Sequence, residues 1–185
     1  MHVSSKKRGL TVYELVLFAM LGMVMFVSKI AMEFLPNIHL LGMLTMVYTL
    51  TFRVKALIPI YIYVFVNGLY AGFAVWWMPY LYVWTVLWGI TLLLPKNMPA
   101  WLACVVYPIV CGLHGLMFGV LCAPAQALFF QLNWEMTVAW VMAGFAFDAI
   151  HAVGNTLAGL LIVPLVELMT KLMRTVRFDR TSPQK

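Results

Sequence analysis

Apolar runs separated by short polar or proline-bearing breaks set the layout of this chain. The runs cover about 12–33, 40–52, 56–74, 81–94, 100–130 and 136–173. About 20 apolar residues cross a bilayer core, so the longer runs read as membrane-spanning helices. The 40–52 run is short and reads as a tilted or partly buried span. The breaks carry the residues that stop helices. Pro36 follows the first run, Pro79 the third, and Pro95 and Pro99 bracket the turn after the fourth. Proline biases the residue before it away from helix. The fifth and sixth runs are longer than one span needs. Pro124 is expected to kink or end the fifth, and Gly144, Gly154 and Pro164 to let the sixth bend.

Inside the last run the apolar pattern is broken on one side only. Asp148, His151 and Asn155 recur at i, i+3 and i+7, which places them on one helix face. Ionisable groups at membrane depth are costly and face a bundle interior or a wet cavity. The stripe therefore marks either a site or a set of hydrogen bonds that hold helices together. Gly112, Gly115 and Gly119 form a small-residue stripe in the fifth run, suited to close helix approach, with His114 among them. Tyr80, Trp84 and Trp88 recur at four-residue spacing as an aromatic stripe. Trp76 and Trp77 precede it. They suit either an interfacial belt or a loop closing over a flat apolar ligand.

Composition agrees with a membrane protein. Of the 185 residues 64% are hydrophobic and 10% charged, against roughly 45–50% and 25% in soluble domains. The fold class expected is an all-α integral membrane protein. It is a six-helix bundle in a single domain over 1–185, with a segment 1–11, a bundle 12–173 and a basic tail 174–185. The formal charge of +6 does not point to nucleic acid, because the basic residues sit at helix ends. Lys6, Lys7 and Arg8 lie before the first run. Arg53, Lys55 and Lys96 lie in alternate breaks, and Lys171, Arg174, Arg177, Arg180 and Lys185 lie at the end. The breaks at 34–39, 75–80 and 131–135 contain no Lys or Arg. By the positive-inside rule both termini are cytoplasmic. Cys104, Cys111 and Cys122 share one apolar region and read as small buried residues, not as a disulfide framework. The first run reads as a retained helix, not a cleaved leader.

Candidate chemistry gathers at the outer end. Lys29 and Glu33 are four apart and can pair. Asn37, His39, Trp76, Trp77, Tyr80, Trp84, Gln131 and Asn133 complete a rim, and Asp148, His151 and Asn155 lie beneath as a floor. Ligand sites are mostly apolar with a few placed polar groups, and this set has that character. The floor lies roughly 18–30 Å along the helix from Met136 at 1.5 Å per residue, which leaves open a purely structural role. No nucleophile elbow and no phosphate loop occurs. No catalytic residue and no metal ligand is assigned, and a non-enzyme is expected. An intramembrane metal-dependent hydrolase built on His114, Asp148 and His151 is the alternative from another class, and a scaffold whose polar residues only join helices is a third.

The stretch F-D-A-I-H-A-V-G-N at 147–155 resembles the F-D-x-x-H-x-x-x-N pattern of the substrate-binding S components of energy-coupling factor transporters. G-L-H-G-L-M-F-G at 112–119 is similar to that family's fifth-helix pattern. The likeness covers about 13–172. It implies a prokaryotic plasma-membrane subunit that captures a vitamin outside and docks onto a transmembrane coupling subunit with two ATPase subunits. ATP and Mg would be bound by those partners, and this chain would carry no cofactor. Members dock through an A-x-x-x-A pattern on the first helix. Here Met23 stands four after Ala19 and Phe26 four after Gly22, so the docking patch falls to Ala19 and Gly22. The stretches at 32–43, 76–89 and 93–99 look most like the branch of cobalamin carriers, also linked to queuosine precursors. Cobalamin is the ligand expected from that likeness, with a queuosine precursor or another vitamin as the alternative.

Overall fold

The computed structural model describes residues 10–179. Every regular element among them is helical: α1 Val12–Ala31, α2 Leu41–Phe52, α3 Leu57–Ala71, α4 Tyr80–Leu93, α5 Ala100–Leu116, α6 Phe118–Phe130, α7 Trp134–Gly159 and α8 Ile162–Asp179. Two short 3-10 turns, Arg53–Ala56 and Val75–Trp77, link α2 to α3 and lead into α4. Four stretches are long and apolar enough to cross a membrane: Val12–Ala31, Leu41–Ala71, Ala100–Phe130 and Trp134–Gly159. The basic segment before Gly9 and the tail from Arg180 lie outside the described residues.

Thr11 starts α1 with a capping box. Its hydroxyl accepts from Glu14 N–H at 3.2 Å, and the Glu14 carboxylate accepts from Thr11 N–H at 2.9 Å, which satisfies two of the helix's orphan donors. Glu14 also pairs with Lys55. This contact sets the start of α1 beside the start of α3. Further along, Gly22 lies against Ile62 and the Pro59 carbonyl, and Phe26 meets Tyr70 edge to face at 5.4 Å. α1 and α3 therefore run parallel.

Between them α2 runs back. Nine of its twelve residues are buried, so it is too short to span alone and sits inside the bundle. It packs on α1, α4, α5, α7 and α8. Of the two expectations for this run, a tilted or a partly buried span, the burial agrees with the second. Its Thr49 hydroxyl is satisfied locally, donating to the Thr45 carbonyl at 2.6 Å. The chain reverses at Arg53, whose φ of 57° is uncommon for a side chain with a Cβ. Two bonds to α4 hold that turn. The Arg53 guanidinium donates to the Leu92 carbonyl at 3.1 Å, and the Trp88 indole donates to the Arg53 carbonyl at 3.1 Å.

The long fifth and sixth runs each divide. The fifth breaks at Met117, not at Pro124, and α6 continues through Pro124. The sixth breaks at Leu160–Leu161. Pro164 then falls in the first turn of α8, where a missing N–H costs nothing. α5 and α7 are antiparallel and in close contact along the glycine stripe. A Cβ at Gly112 would overlap the Thr156 hydroxyl, one at Gly115 would lie 2.9 Å from the Asn155 amide, and one at Gly159 would lie 2.6 Å from Pro108 Cα. Small residues here let two backbones approach where larger ones would hold them apart.

Candidate ligand site

The stripe on α7 is buried. Asp148, His151 and Asn155 all face inward, and Asn155 is 1% exposed. Their chemical situations differ. Both Asp148 carboxylate oxygens accept from Gly119 N–H, at 3.2 and 3.1 Å. That N–H belongs to the first turn of α6, whose first donors have no partner within the helix. Asp148 thus caps α6 from α7. By contrast, His151 Nε2 and both polar atoms of the Asn155 amide are buried with no hydrogen-bond partner among the described residues.

These atoms belong to a larger group. Ten buried side-chain nitrogen and oxygen atoms lack a partner among the described residues, and they come from eight side chains. The α3 contribution is the Tyr63 hydroxyl and the Asn67 amide, four residues apart on one face. The Trp84 indole comes from α4, His114 Nδ1 from α5 and the Thr45 hydroxyl from α2, while His39 Nδ1 comes from the loop after α1.

Ring contacts join five of the eight, His39, Tyr63, Trp84, His114 and His151, into one cluster. Trp84 sits at the centre, fully buried. Ring centroids lie 6.0 Å from it at His39, 6.3 Å at Tyr63, 5.8 Å at Tyr80, 5.8 Å at His114 and 6.0 Å at Phe118. His39 meets His151 at 4.7 Å, and Phe118 meets His151 at 4.9 Å. Asn155 lies one turn beyond His151, with its amide against Gly42 of α2. Thr45 follows Gly42 by three residues on the same face.

The tautomer of His114 follows from its one bond. Its Nε2 lies 3.1 Å from the Val83 carbonyl, which can only accept. In the neutral ring Nε2 therefore carries the hydrogen, and Nδ1 is left as a free acceptor. His39 lies outside the helices. Burial pushes its pKa down to about 4, helped by the nearby His114 and Lys29, against a weaker opposing bond from its own backbone. Its imidazole is neutral at pH 7.

A cleft of about 450 Å³ lies beside this cluster. Trp76, Pro79 and Tyr80 line one side, Gln126 and Phe130 of α6 another, and Trp140, Gly144 and Asp148 of α7 the third. Tyr80 and Phe118 line the cleft and also contact the buried rings. They stand between the cleft and the cluster.

No family model, curated protein or solved structure matches this chain. The reading of the site rests on its own geometry. Of the sequence-predicted residues, the structure brings together His39, Tyr80, Trp84, His151 and Asn155, with Trp76 and Asp148 along the cleft. Trp77 supports the cluster from outside, its indole donating to the Val64 carbonyl at 2.8 Å. The rest of the rim does other work. Lys29 and Glu33 pair with each other at 3.5 Å. Asn37 and Gln131 take positive φ in exposed turns. Asn133 caps α7, its side-chain oxygen accepting from Met136 N–H at 2.8 Å. Gly22 is packed against α3, whereas Ala19 is exposed.

Tyr63, Thr45 and Phe118 are site residues that sequence reasoning passed over. The spacing of Tyr63 and Asn67, two polar groups four apart in an apolar run, was the available signal. Among the described residues no group of three or more His, Cys, Asp or Glu is arranged to hold a metal ion.

Unpartnered polar atoms in this number call for partners, either ordered water or a bound molecule. An unsatisfied buried donor or acceptor costs about 1–3 kcal/mol. Ten of them would together rival or exceed the roughly 5–15 kcal/mol that holds a typical domain folded. Groups that only joined helices would be paired with each other, as Asp148 is with Gly119.

Proposed function

We propose that this chain is the substrate-binding S component of an energy-coupling factor importer, in a prokaryotic plasma membrane with both termini cytoplasmic. The observation that carries the reading is the buried cluster of unpartnered polar atoms, ringed by aromatics and lying beside a cleft. A carrier needs such a pocket, mostly apolar with a few convergent polar groups. In this reading the cargo enters through the cleft beside Trp76 and Tyr80 and is held among Trp84, His151 and Asn155. Transport energy comes from a coupling subunit and two ATPase subunits that bind ATP and Mg, and this chain performs no catalysis. The cargo is a vitamin-class molecule. Cobalamin is one candidate, and a queuosine precursor is the smaller alternative.

The deciding experiment pairs two measurements on the full chain in detergent. One is calorimetric titration with cobalamin and with queuine. The other is co-purification with a co-expressed coupling module. Saturable binding of either ligand together with a stable complex is the expected result. Folded protein that binds neither ligand and forms no complex would overturn the carrier reading.

A further inference from the structure

The cluster has a chemical signature of its own. Its unpartnered atoms are of both kinds. The Asn67 and Asn155 amides each offer donors and an acceptor, the Trp84 indole only donates, and His114 Nδ1 accepts. None of the eight side chains is Asp, Glu, Lys or Arg. The nearest charged groups are already engaged. Asp148 is bound to Gly119 N–H, and Lys29 is paired with Glu33. Aromatic faces and edges surround the polar atoms on several sides, from Tyr63 and Trp84 to Phe118. The two amides come from different helices, α3 and α7.

From this arrangement we infer that the buried site takes an uncharged, flat heteroaromatic molecule of one or two rings, bearing both donors and acceptors on its edge. The inference rests on the carrier reading for its biological sense, but its chemistry is independent of the partners. An anionic ligand would enter a low-dielectric interior whose eight unpartnered side chains include no Lys or Arg to meet it, which is heavily disfavoured. A purely apolar ring would leave the same polar atoms unpaired. Sites built to hydrogen-bond a ligand reject analogues that lack the group, by far larger factors than a missing methylene produces.

The test uses ligand pairs that differ in charge but hardly in shape. Nicotinamide is compared with nicotinate, and uracil with orotate. Hypoxanthine and guanine serve as two-ring probes and cobalamin as the large one. Each is titrated into the purified full chain in detergent, by calorimetry and by thermal shift. At least one neutral ring is expected to bind, with at least tenfold preference over an anionic counterpart where the pair exists. Tyr63→Phe keeps the shape and removes one unpartnered hydroxyl. It is expected to weaken that ligand tenfold or more while the ligand-free melting temperature stays the same or rises. Thr45→Val provides the same test on α2, in case the first variant misfolds. Equal binding of a neutral and an anionic partner overturns the inference, as does unchanged affinity in both variants. Failure of every neutral ring with folded protein also overturns it. Saturable cobalamin binding without ring binding sinks this inference and leaves the carrier reading standing. Ring binding without association with a coupling module does the reverse.

Discussion

His39, in the loop after α1, and His151, deep on α7, meet edge to face with ring centroids 4.7 Å apart. The contact ties a connecting loop to the floor of the buried site. It also buries the His39 ring against His151, within 6.0 Å of Trp84. His39 pKa is pushed down to about 4 by burial, against about 6.5 in an unfolded chain. The folded state thus prefers the neutral ring. The stabilisation is complete above pH 6.5 and is lost as pH falls toward 4. We expect the melting temperature of the detergent-solubilised protein to drop between pH 7 and pH 5. His39→Phe should reduce that drop. An unchanged slope in the variant would show that His39 is not the group responsible.

Trp84 is the hub of the ring network and is fully buried. Truncating a buried large aromatic costs about 3–5 kcal/mol. Trp84→Ala should therefore lose stability and ligand affinity together, and its effect on binding cannot be read alone. Trp84→Phe keeps the packing and removes the indole N–H, so it should fold with a modest loss in melting temperature. Chemical denaturation of both variants checks this. A Trp84→Ala protein as stable as the parent would place Trp84 outside the core.

The amount of this legible in the sequence follows from what a bilayer hides. The stripe of Asp148, His151 and Asn155 stood out because polar residues are rare in apolar helices, and the glycine stripe at 112–119 because only small residues repeat at that spacing. The core position of α2 did not stand out. In lipid, a face turned to the membrane and a face turned to the protein are both apolar, so hydrophobic periodicity does not separate them. Thr45 was lost for a related reason, since a lone Thr hydroxyl in an apolar run usually bonds its own helix, as Thr49 and Thr91 do, and Tyr63 reads as one more aromatic in such a run. The rim residues have a second reason to be polar. Asn37, Gln131 and Asn133 are polar because turns and helix caps require such residues, which is the commoner reason for polarity in a loop.

Gly115 and Gly89 make a controlled pair. A Cβ at Gly115 would lie 2.9 Å from the Asn155 amide nitrogen, 3.0 Å from the His151 carbonyl and 3.1 Å from Ala152 Cα. Two of those three neighbours are backbone and cannot turn aside. At Gly89 nothing lies within 4 Å. Gly115→Ala should force α5 and α7 apart, cost about 1–3 kcal/mol and weaken ligand binding through the displaced Asn155. Gly89→Ala should be neutral or stabilising by up to about 1 kcal/mol, the helix-propensity difference between the residues. Equal melting temperatures for the two variants would contradict the close α5–α7 contact.

The two small residues on α1 separate docking from folding. Gly22 faces α3, where a Cβ would sit 2.6 Å from Ile62 Cγ2 and 2.9 Å from the Pro59 carbonyl oxygen. Gly22→Leu should therefore damage the fold itself, and loss of a complex in that variant would say nothing about docking. Ala19 points outward beside Val16, Met20 and Met23, all exposed. If the coupling subunit covers this face, Ala19→Trp should leave the melting temperature and ligand affinity of the isolated chain unchanged and abolish co-purification with the coupling module. A complex that survives Ala19→Trp with parental yield would move the docking surface off this face of α1. A variant that loses both complex and ligand binding would mean that α1 positions the site as well as the partner.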